Sequence, residues 1–423
     1  MIRFQRIPAL LIVPTVALAI AGCVPSKDGD DSASGGATPA KIVIGSTLPL
    51  TGTESKTGGR FKQGVELAFE LENADGGIDI GGKKVPVELK LLDDTTDQAK
   101  AVNLAQRLIT QDKVNFFLGT YSTALVEAQS TVAEQNQIPY VTGGGAATSI
   151  YAKGYKWVFG TLAPVNNLAT TEMQWIEEQQ AAGALPKPAK IAVVWENTSH
   201  GKDFRKGVQD FSTAHPGGYQ VVTDESFALD GKDFSAILSK VRAAKADMFL
   251  VDAHLPDFIT MQRQYLSSNM CHKIITYGAR GTESDAKAAL GQAGVNYILS
   301  AVWWNKQQGN SGLNKEFVEK YTAKYGSDPE WYQALGYEAA RSLFTAITKA
   351  GSTDKEKVRE QLSALDMDSI LPGGKLSYPA AKGGQADYPF VVQQNLPDGT
   401  SPIIYPANVA TGKGVAPNPG CKG

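Results

Sequence analysis

Two loops in this sequence have the composition of a site for a small polar ligand. The first, Gly119–Thr123, follows the apolar run Phe116–Leu118 and leads into a helical pattern. The hydroxyls of Ser122 and Thr123 would lie beside free backbone N–H groups at a helix N-terminus, which suits a carboxylate or another anion. The same two side chains are equally suited to act as plain helix caps. The sequence therefore predicts a candidate anion site here and leaves the capping interpretation open.

The second loop, Thr142–Thr148, contains three consecutive glycines directly after the apolar segment 138–141. Its small residues expose backbone N–H and C=O groups to anything that lies against them. It lacks the Gly-Lys-Ser/Thr of a P-loop and the spacing of a dinucleotide-binding fingerprint. A structural turn would account for the glycines, but three of them in one strand-end loop favour close approach of a ligand.

The chain shows no sequence pattern of a metal site or of a known catalytic centre. Its four histidines, at positions 200, 215, 254 and 272, lack metal-ligand spacing, and there is neither a Cys-x-x-Cys motif nor a Gly-x-Ser-x-Gly elbow. Segments 56–58 and 352–355 imitate two motifs of serine β-lactamases, but in reverse order and without Ser-Asp-Asn. We therefore expect a protein that is not an enzyme and that needs no cofactor or metal.

The N-terminus has the pattern of a lipoprotein signal peptide. Two arginines precede an apolar run that is shorter than the ~20 residues needed to span a bilayer, and small residues lead into Cys23. A cysteine in this position accepts a lipid before cleavage makes it the new N-terminus. We expect residues 1–22 to be removed, Cys23 to be lipidated, and the polar residues 23–40 to form a flexible tether.

The remaining body, residues 41–423, is long enough for two domains. The formal charge of the full chain is −2, without clustered Lys and Arg, which argues against nucleic acid as a partner. If Cys23 carries lipid, Cys271 and Cys421 remain as a pair in an oxidising compartment. We expect them to form a disulfide that pins the C-terminal tail, with two free thiols as the alternative.

Short apolar runs alternate with helical patterns from Lys41 onward, as expected for buried parallel sheets covered by helices. The clearest strand candidates are Ile42–Ile44, Phe116–Leu118, Ile191–Val194, Met248–Val251 and Ile274–Ile275. A six-residue repeat, Arg60–Val65 and Asp203–Val208, opens a helix after a strand in each half of the chain. The sequence predicts an α/β fold of two doubly wound parallel-sheet lobes, whose ligands bind beyond the carboxyl ends of the strands.

Several segments resemble the type I periplasmic binding proteins of the leucine/isoleucine/valine and amide class. The similarity runs from Lys41 to the C-terminal region, and its marks are residues 41–45 through 49–52, 64–68, 93–94, 233–235 and 247–249. The resemblance implies a venus-flytrap body, with lobe 1 at 41–162 and 302–371 and lobe 2 at 163–301 and 372–423. It also implies three hinge crossings, near residues 161–164, 299–303 and 372–376.

The resemblance further implies ligand contacts in the cleft between the lobes. Carried over position by position, the contacts are Tyr121, Ser122, Thr123, Gly144, Ala146, His200, His254, Arg280 and Tyr337. Ala146 stands where the family has a threonine that holds an amino-acid carboxylate, and Thr148 is the alternative if the extra glycine shifts the loop. The family acid that pairs with a ligand ammonium falls at Ala279 or Arg280. A buried ammonium would therefore lack a partner unless Asp252 compensates.

The implied function is capture of a small solute for an ABC importer by an exported, lipid-anchored, monomeric protein at the periplasmic or outer cell surface. The expected solute is an amino acid of the branched-chain type or a related carboxylate or amide, and the expected protein partners are permease subunits. Loss of the family acid keeps aromatic and aliphatic acids open as solutes. The alternatives are a ligand-sensing lipoprotein that acts on a membrane signalling partner, and an enzyme.

Overall fold

The computed structural model describes residues 39–308 and 312–421. The predicted signal peptide, the lipidation at Cys23 and nearly all of the tether lie outside the described residues. Among the helices of those residues, none has the length and apolar character needed to cross a membrane.

Strands and helices alternate along the described chain. In chain order the strands are β1 (Ile42–Leu48), β2 (Ile78–Ile80), β3 (Lys83–Val85), β4 (Val87–Asp93), β5 (Phe116–Leu118), β6 (Tyr140–Thr142), β7 (Val158–Gly160), β8 (Ala189–Glu196), β9 (Tyr219–Phe227), β10 (Met248–Asp252), β11 (Ile274–Tyr277), β12 (Ile298–Val302), β13 (Asp366–Asp368), β14 (Lys375–Ser377), β15 (Val391–Gln394) and β16 (Ile403–Tyr405). The helices are α1 (Ser55–Ala74), α2 (Gln98–Thr110), α3 (Thr123–Gln135), α4 (Thr148–Tyr151), α5 (Val165–Ala181), α6 (Ser199–Ala214), α7 (Ser235–Ala243), α8 (Leu255–Ser267), α9 (Ser284–Val295), α10 (Gly312–Tyr325), α11 (Trp331–Ala350) and α12 (Lys355–Ser363). All five predicted strands are confirmed.

Two large sheets organise the molecule. The first has the strand order β4-β1-β5-β6-β7 and is parallel throughout. The second has the order β16-β15-β12-β11-β10-β8-β9, with β15 and β16 antiparallel at one edge and the other strands parallel. We call each sheet with its covering helices the first and the second lobe. This arrangement confirms the predicted α/β fold with parallel-sheet lobes.

The glycine of the six-residue repeat serves the same purpose in both lobes. A Cβ atom on Gly64 of α1 would lie 2.0 Å from the carbonyl oxygen of Gln333, on α11. A Cβ atom on Gly207 of α6 would lie 2.4 Å from the carbonyl oxygen of Asn166, on α5. Both distances are well inside van der Waals contact, so only glycine lets each helix pack this closely on its neighbour.

Within residues 39–308 and 312–421, the chain crosses between the sheets three times. It leaves β7 for α5 and β8, returns after β12 to α10 and α11, and joins the second sheet again at β15. Before this last crossing, β14 pairs with β13 and Gln385 forms a bridge with Gly160 of the first sheet. The third crossing and the lobe boundary were expected near residue 372, but the chain stays against the first lobe through Gln385 because of these contacts.

The C-terminal tail is fixed to the second lobe. Cys271 and Cys421 are joined by a disulfide, with their Cα atoms 5.3 Å apart. The backbone N–H of Asn418 donates a hydrogen bond to the carbonyl of Lys273, just before β11. The tail is therefore held against the second sheet by both covalent and backbone contacts.

Candidate functional site

A small buried cavity lies where loops of both lobes meet. Its volume is about 10 Å³, and its lining residues are Tyr121, Ser122, Thr123, Gly144, Ala146, Leu162, His200, His254, Arg280, Trp303 and Trp331. A cavity of this size holds about one water molecule. An organic solute can therefore enter only if the two lobes move apart and close again around it.

Eight of the nine predicted contacts line this cavity, and Tyr337 is the exception. Its ring packs on Phe317 of α10, with centroids 4.7 Å apart, and the guanidinium of Arg341 lies 5.6 Å from its centroid. Tyr337 faces α10 because it lies further along α11, whereas Trp331 in the first turn of that helix reaches the cavity. Sequence reasoning did not assign Trp331 or Trp303 to the site, although Trp303 ends a predicted hinge segment.

The N-terminus of α3 points its first two residues at the cavity. Ser122 is the N-cap residue, but its side chain makes no capping hydrogen bond within the described chain. The Oγ1 atom of Thr123 accepts a hydrogen bond from the backbone N–H of Ala146, at 3.3 Å, and so joins the two predicted loops. Ser122 therefore does not act as a side-chain cap, and it lines the cavity.

The three glycines of the second loop are required by packing within the protein. A Cβ atom on Gly144 would lie 2.1 Å from the carbonyl oxygen of Thr120. Cβ atoms on Gly143 and Gly145 would meet Leu335 and Val126 at 2.8 Å and 2.6 Å. Only Gly144 of the three lines the cavity. Close packing therefore accounts for the glycine run, and approach of a ligand stays a prediction for Gly144.

Arg280 is a buried cation in the loop between β11 and α9, with 2% of its surface exposed. Its Nη2 donates a hydrogen bond of 2.8 Å to the hydroxyl of Tyr121, in the other lobe, and its guanidinium lies over the ring of Trp331. Its Nε and Nη1 have no hydrogen-bond partner among the described residues. Glu283 lies 4.0 Å from Nε, but burial and the neighbouring Glu330 raise the pKa of Glu283 to about 8. Glu283 makes no hydrogen bond to the guanidinium, so Nε and Nη1 remain available to an anion.

Two cavity histidines are paired with buried acids. His200 Nδ1 lies 2.7 Å from Asp252 Oδ2. His254 Nδ1 lies 3.2 Å from Glu54 Oε1, and its Nε2 lies 3.7 Å from Glu196 Oε1. Burial alone would lower the pKa of His254, but Glu196 and Glu54 outweigh that effect and raise it to about 9. Acidic side chains from other elements therefore lie beside the two cavity histidines. Positions 279 and 280, where the family carries its acid, have none.

Further contacts join the lobes around the cavity. Asp203 of α6 accepts hydrogen bonds from the backbone N–H and the hydroxyl of Thr148, at 2.7 and 2.8 Å. Arg60 of α1 pairs with Asp285 of α9 at 2.9 Å. Thr148 is thus engaged with the second lobe and does not take the place of Ala146 in the cavity.

Comparison with known proteins gives consistent matches. Residues 41–400 match the family model described as "Periplasmic binding protein". Leu/Ile/Val-binding protein homolog 8 of Brucella abortus is 28% identical over 381 residues, which cover 88% of this chain and 93% of the relative. The leucine-binding protein LivK of Thermotoga maritima has a TM-score of 0.74 and 24% identity, covering 85% of this chain and 97% of that one. An R. palustris solute-binding protein in complex with benzoate has a TM-score of 0.72 and 21% identity, covering 90% and 99%.

Proposed function

Because this chain belongs to the periplasmic binding protein family, whose members bind solutes and are not enzymes, we propose that it is the solute-binding lipoprotein of an ABC importer. Membership of the family implies an exported protein. Its solute is a small carboxylate, either an amino acid of the branched-chain type or an aromatic or aliphatic acid, held between the lobes. The observation that carries this proposal is the buried guanidinium of Arg280 beside the N-terminus of α3.

The charge of the cavity wall favours a carboxylate. Two nitrogen atoms of Arg280, Nε and Nη1, lack partners among the described residues, and Ser122 and Thr123 at the N-terminus of α3 line the same cavity. Hydrogen bonds from a guanidinium to a carboxylate are about twice as strong as neutral ones. A carboxylate also satisfies the buried cation, which is costly to leave unpaired.

The rest of the solute is expected to be apolar or aromatic. Trp303, Trp331 and Tyr121 line the cavity, and their rings offer flat surfaces for hydrocarbon or aromatic groups. The relative from Brucella is named for binding leucine, isoleucine and valine, and the R. palustris structure contains benzoate. An amino acid would place its ammonium near the acids beside His200 and His254, among them Asp252, the alternative partner that the sequence offered.

Matched pairs of solutes test the proposal by isothermal titration calorimetry. Comparing the affinities for benzoate and benzamide isolates the contribution of the carboxylate. Comparing the affinities for leucine and 4-methylpentanoate isolates the contribution of the ammonium. We expect at least one acid to bind and its amide to bind far more weakly. We expect Arg280→Gln to weaken binding of that acid about 10- to 100-fold, since a charge-assisted hydrogen bond contributes about 1.5–3 kcal/mol.

Arg263→Gln is the matched control, because Arg263 lies on the exposed side of α8 and its Nη2 contacts only the carbonyl of Ala289. This variant should bind as the unaltered protein does. Equal binding by the Arg280 variant would refute the role of Arg280, and absence of binding to every acid would refute the carboxylate class.

The lipid anchor and the importer need separate tests. Mass spectrometry of the N-terminal peptide should find a lipidated Cys23, and Cys23→Ala should release the protein from membranes. Co-purification with permease subunits would support the importer, whereas co-purification with a membrane kinase would support the sensing alternative.

A further inference from the structure

Three buried side chains of the second lobe, of which one, His200, lines the cavity, place their donor atoms together. They are Glu196 at the end of β8, His200 in the first turn of α6 and Asp252 at the end of β10, and none is more than 4% exposed. One donor atom from each lies within 4.8 Å of the other two. We propose that these residues bind a divalent transition-metal ion, with His254 as the fourth ligand.

The spacing of the donor atoms is close to that of a tetrahedral site. Ligand atoms about 2.1 Å from a zinc ion lie about 3.4 Å from one another. Here Glu196 Oε1 lies 3.8 Å from His200 Nδ1 and 3.7 Å from His254 Nε2. The third distance, from His200 Nδ1 to Asp252 Oδ2, is 2.7 Å. His254 lies outside the group of three whose donor atoms are within 4.8 Å of one another, so metal binding would draw its side chain toward His200 and Asp252 and would replace the hydrogen bond between those two.

The type of donor favours zinc or a similar ion over magnesium or calcium. Two imidazole nitrogens and two carboxylates are ligands that Zn²⁺ accepts, whereas Mg²⁺ and Ca²⁺ prefer oxygen ligands throughout. The Oε2 atom of Glu196 is buried and has no hydrogen-bond partner among the described residues. A bound cation would satisfy this carboxylate and offset the charge that Asp252 adds beside it.

Contacts behind His254 have the pattern that surrounds metal-bound histidines. Such histidines usually donate their second ring N–H to a carboxylate, which fixes the ring and its tautomer. Glu54 Oε1 lies 3.2 Å from His254 Nδ1 and leaves Nε2 facing Glu196. Glu54 precedes α1 in the first lobe, whereas the proposed ligands are in the second. Metal binding should therefore stabilise the contact between the lobes.

Metal binding can be measured on the whole exported chain after treatment with EDTA and dialysis. We expect one Zn²⁺ per chain by calorimetry, and Co²⁺ should give the intense visible absorption of a tetrahedral site. Mg²⁺ should not compete. His200→Gln should lower zinc affinity at least 100-fold, and Glu54→Gln about 10-fold because it removes only the group that orients His254.

His215→Gln is the matched control, because His215 lies at the end of α6 and pairs with Glu177 away from the cavity. This variant should bind zinc normally. Failure of the unaltered chain to bind Zn²⁺ or Co²⁺ stoichiometrically would overturn the proposal, as would equal affinity in the His200 variant when circular dichroism shows that it is folded. Binding of zinc and binding of the carboxylic acid are measured separately. The Arg280→Gln variant should lose affinity for the acid and keep its affinity for zinc. Failure of the metal site is therefore distinguishable from failure of the proposed function.

Discussion

Thr123 is the residue at which the two predicted loops meet the cavity. Its hydroxyl accepts the N–H of Ala146 and lines the site, so Thr123→Ala removes one hydrogen bond within the protein and one expected bond to the solute. We expect the affinity for the bound acid to fall about 10-fold, because a hydrogen bond contributes about 1–1.5 kcal/mol. Thr123→Ser keeps the hydroxyl and should bind nearly normally.

Calorimetry with the acid identified in the screen measures this effect. Thr131→Ala is the control on the same helix, since its hydroxyl pairs with that of Tyr155 instead of facing the cavity. Unchanged affinity in Thr123→Ala would place the carboxylate elsewhere in the cleft.

His272 links stability to pH. Burial lowers its pKa to about 4, and its Nδ1 lies 2.9 Å from the hydroxyl of Tyr265. In the unfolded chain His272 therefore becomes protonated near pH 6.5, whereas in the folded chain it becomes protonated only near pH 4. The free energy of unfolding should fall as the pH decreases through this window, by about 2 kcal/mol between pH 7 and pH 5.

Urea unfolding at both pH values checks the His272 prediction. In His272→Gln the decrease in the free energy of unfolding between pH 7 and pH 5 should be smaller by about 2 kcal/mol. A variant with the same slope as the unaltered chain would show that other groups cause the loss of stability.

Sequence reasoning located part of the candidate site and named Asp252 as an alternative partner for an ammonium, but it missed Glu54 and Glu196. Ser122, Thr123 and Gly144 were accessible because they follow apolar strands, and loops at strand ends meet at one edge of a parallel sheet. Glu54, Glu196 and Asp252 come from three elements, and Glu196 and Asp252 are 56 positions apart. No spacing rule joins such residues, which is why the histidines beside them showed no metal-ligand pattern.

At the scale of elements, the five predicted strands could be found because each contains a short apolar run, whereas strands with charged residues, such as β3 and β13, could not. The partners of the strands were not predictable, and neither was the third crossing, because the bridge between Gln385 and Gly160 of the first sheet joins residues that are far apart in the sequence. The repeated glycine shows what local sequence can predict and what it cannot. The pattern around Gly64 and Gly207 indicated two similar helices, but the contacts with Gln333 and Asn166 that require glycine come from other parts of the chain.

The disulfide joins the C-terminal tail to Cys271, just before β11, and closes a loop with a sequence separation of 150 residues. A cross-link of that length constrains the unfolded chain strongly, so Cys421→Ser should lower the free energy of unfolding by about 3–5 kcal/mol. Urea unfolding of variants made in a Cys23→Ala chain measures this difference without interference from a third thiol. A reducing agent should weaken the parent chain to the same level and leave Cys421→Ser unchanged. A parent chain that is insensitive to reduction would contradict the prediction.

At the scale of the whole molecule, the repeated segment also joins the lobes. Its first residue is Arg60 in one copy and Asp203 in the other, and each reaches across to the opposite lobe, Arg60 to Asp285 and Asp203 to Thr148. Separation of the lobes would break these contacts. They therefore contribute to the balance between open and closed forms, which a solute shifts by its preference for the closed one.

Asp203→Ala tests this balance without touching the cavity. It removes two hydrogen bonds that hold the lobes together, so the unliganded protein should open more often and the affinity for the solute should fall about 10-fold. Small-angle scattering should show a larger radius of gyration without solute and the same closed radius at saturation. Asp210→Ala is the control, because Asp210 lies on the same helix but pairs only with Lys206, four residues before it. If both variants lost affinity equally, the cause would be a general effect on α6, and the contact between Asp203 and Thr148 would have no part in closure.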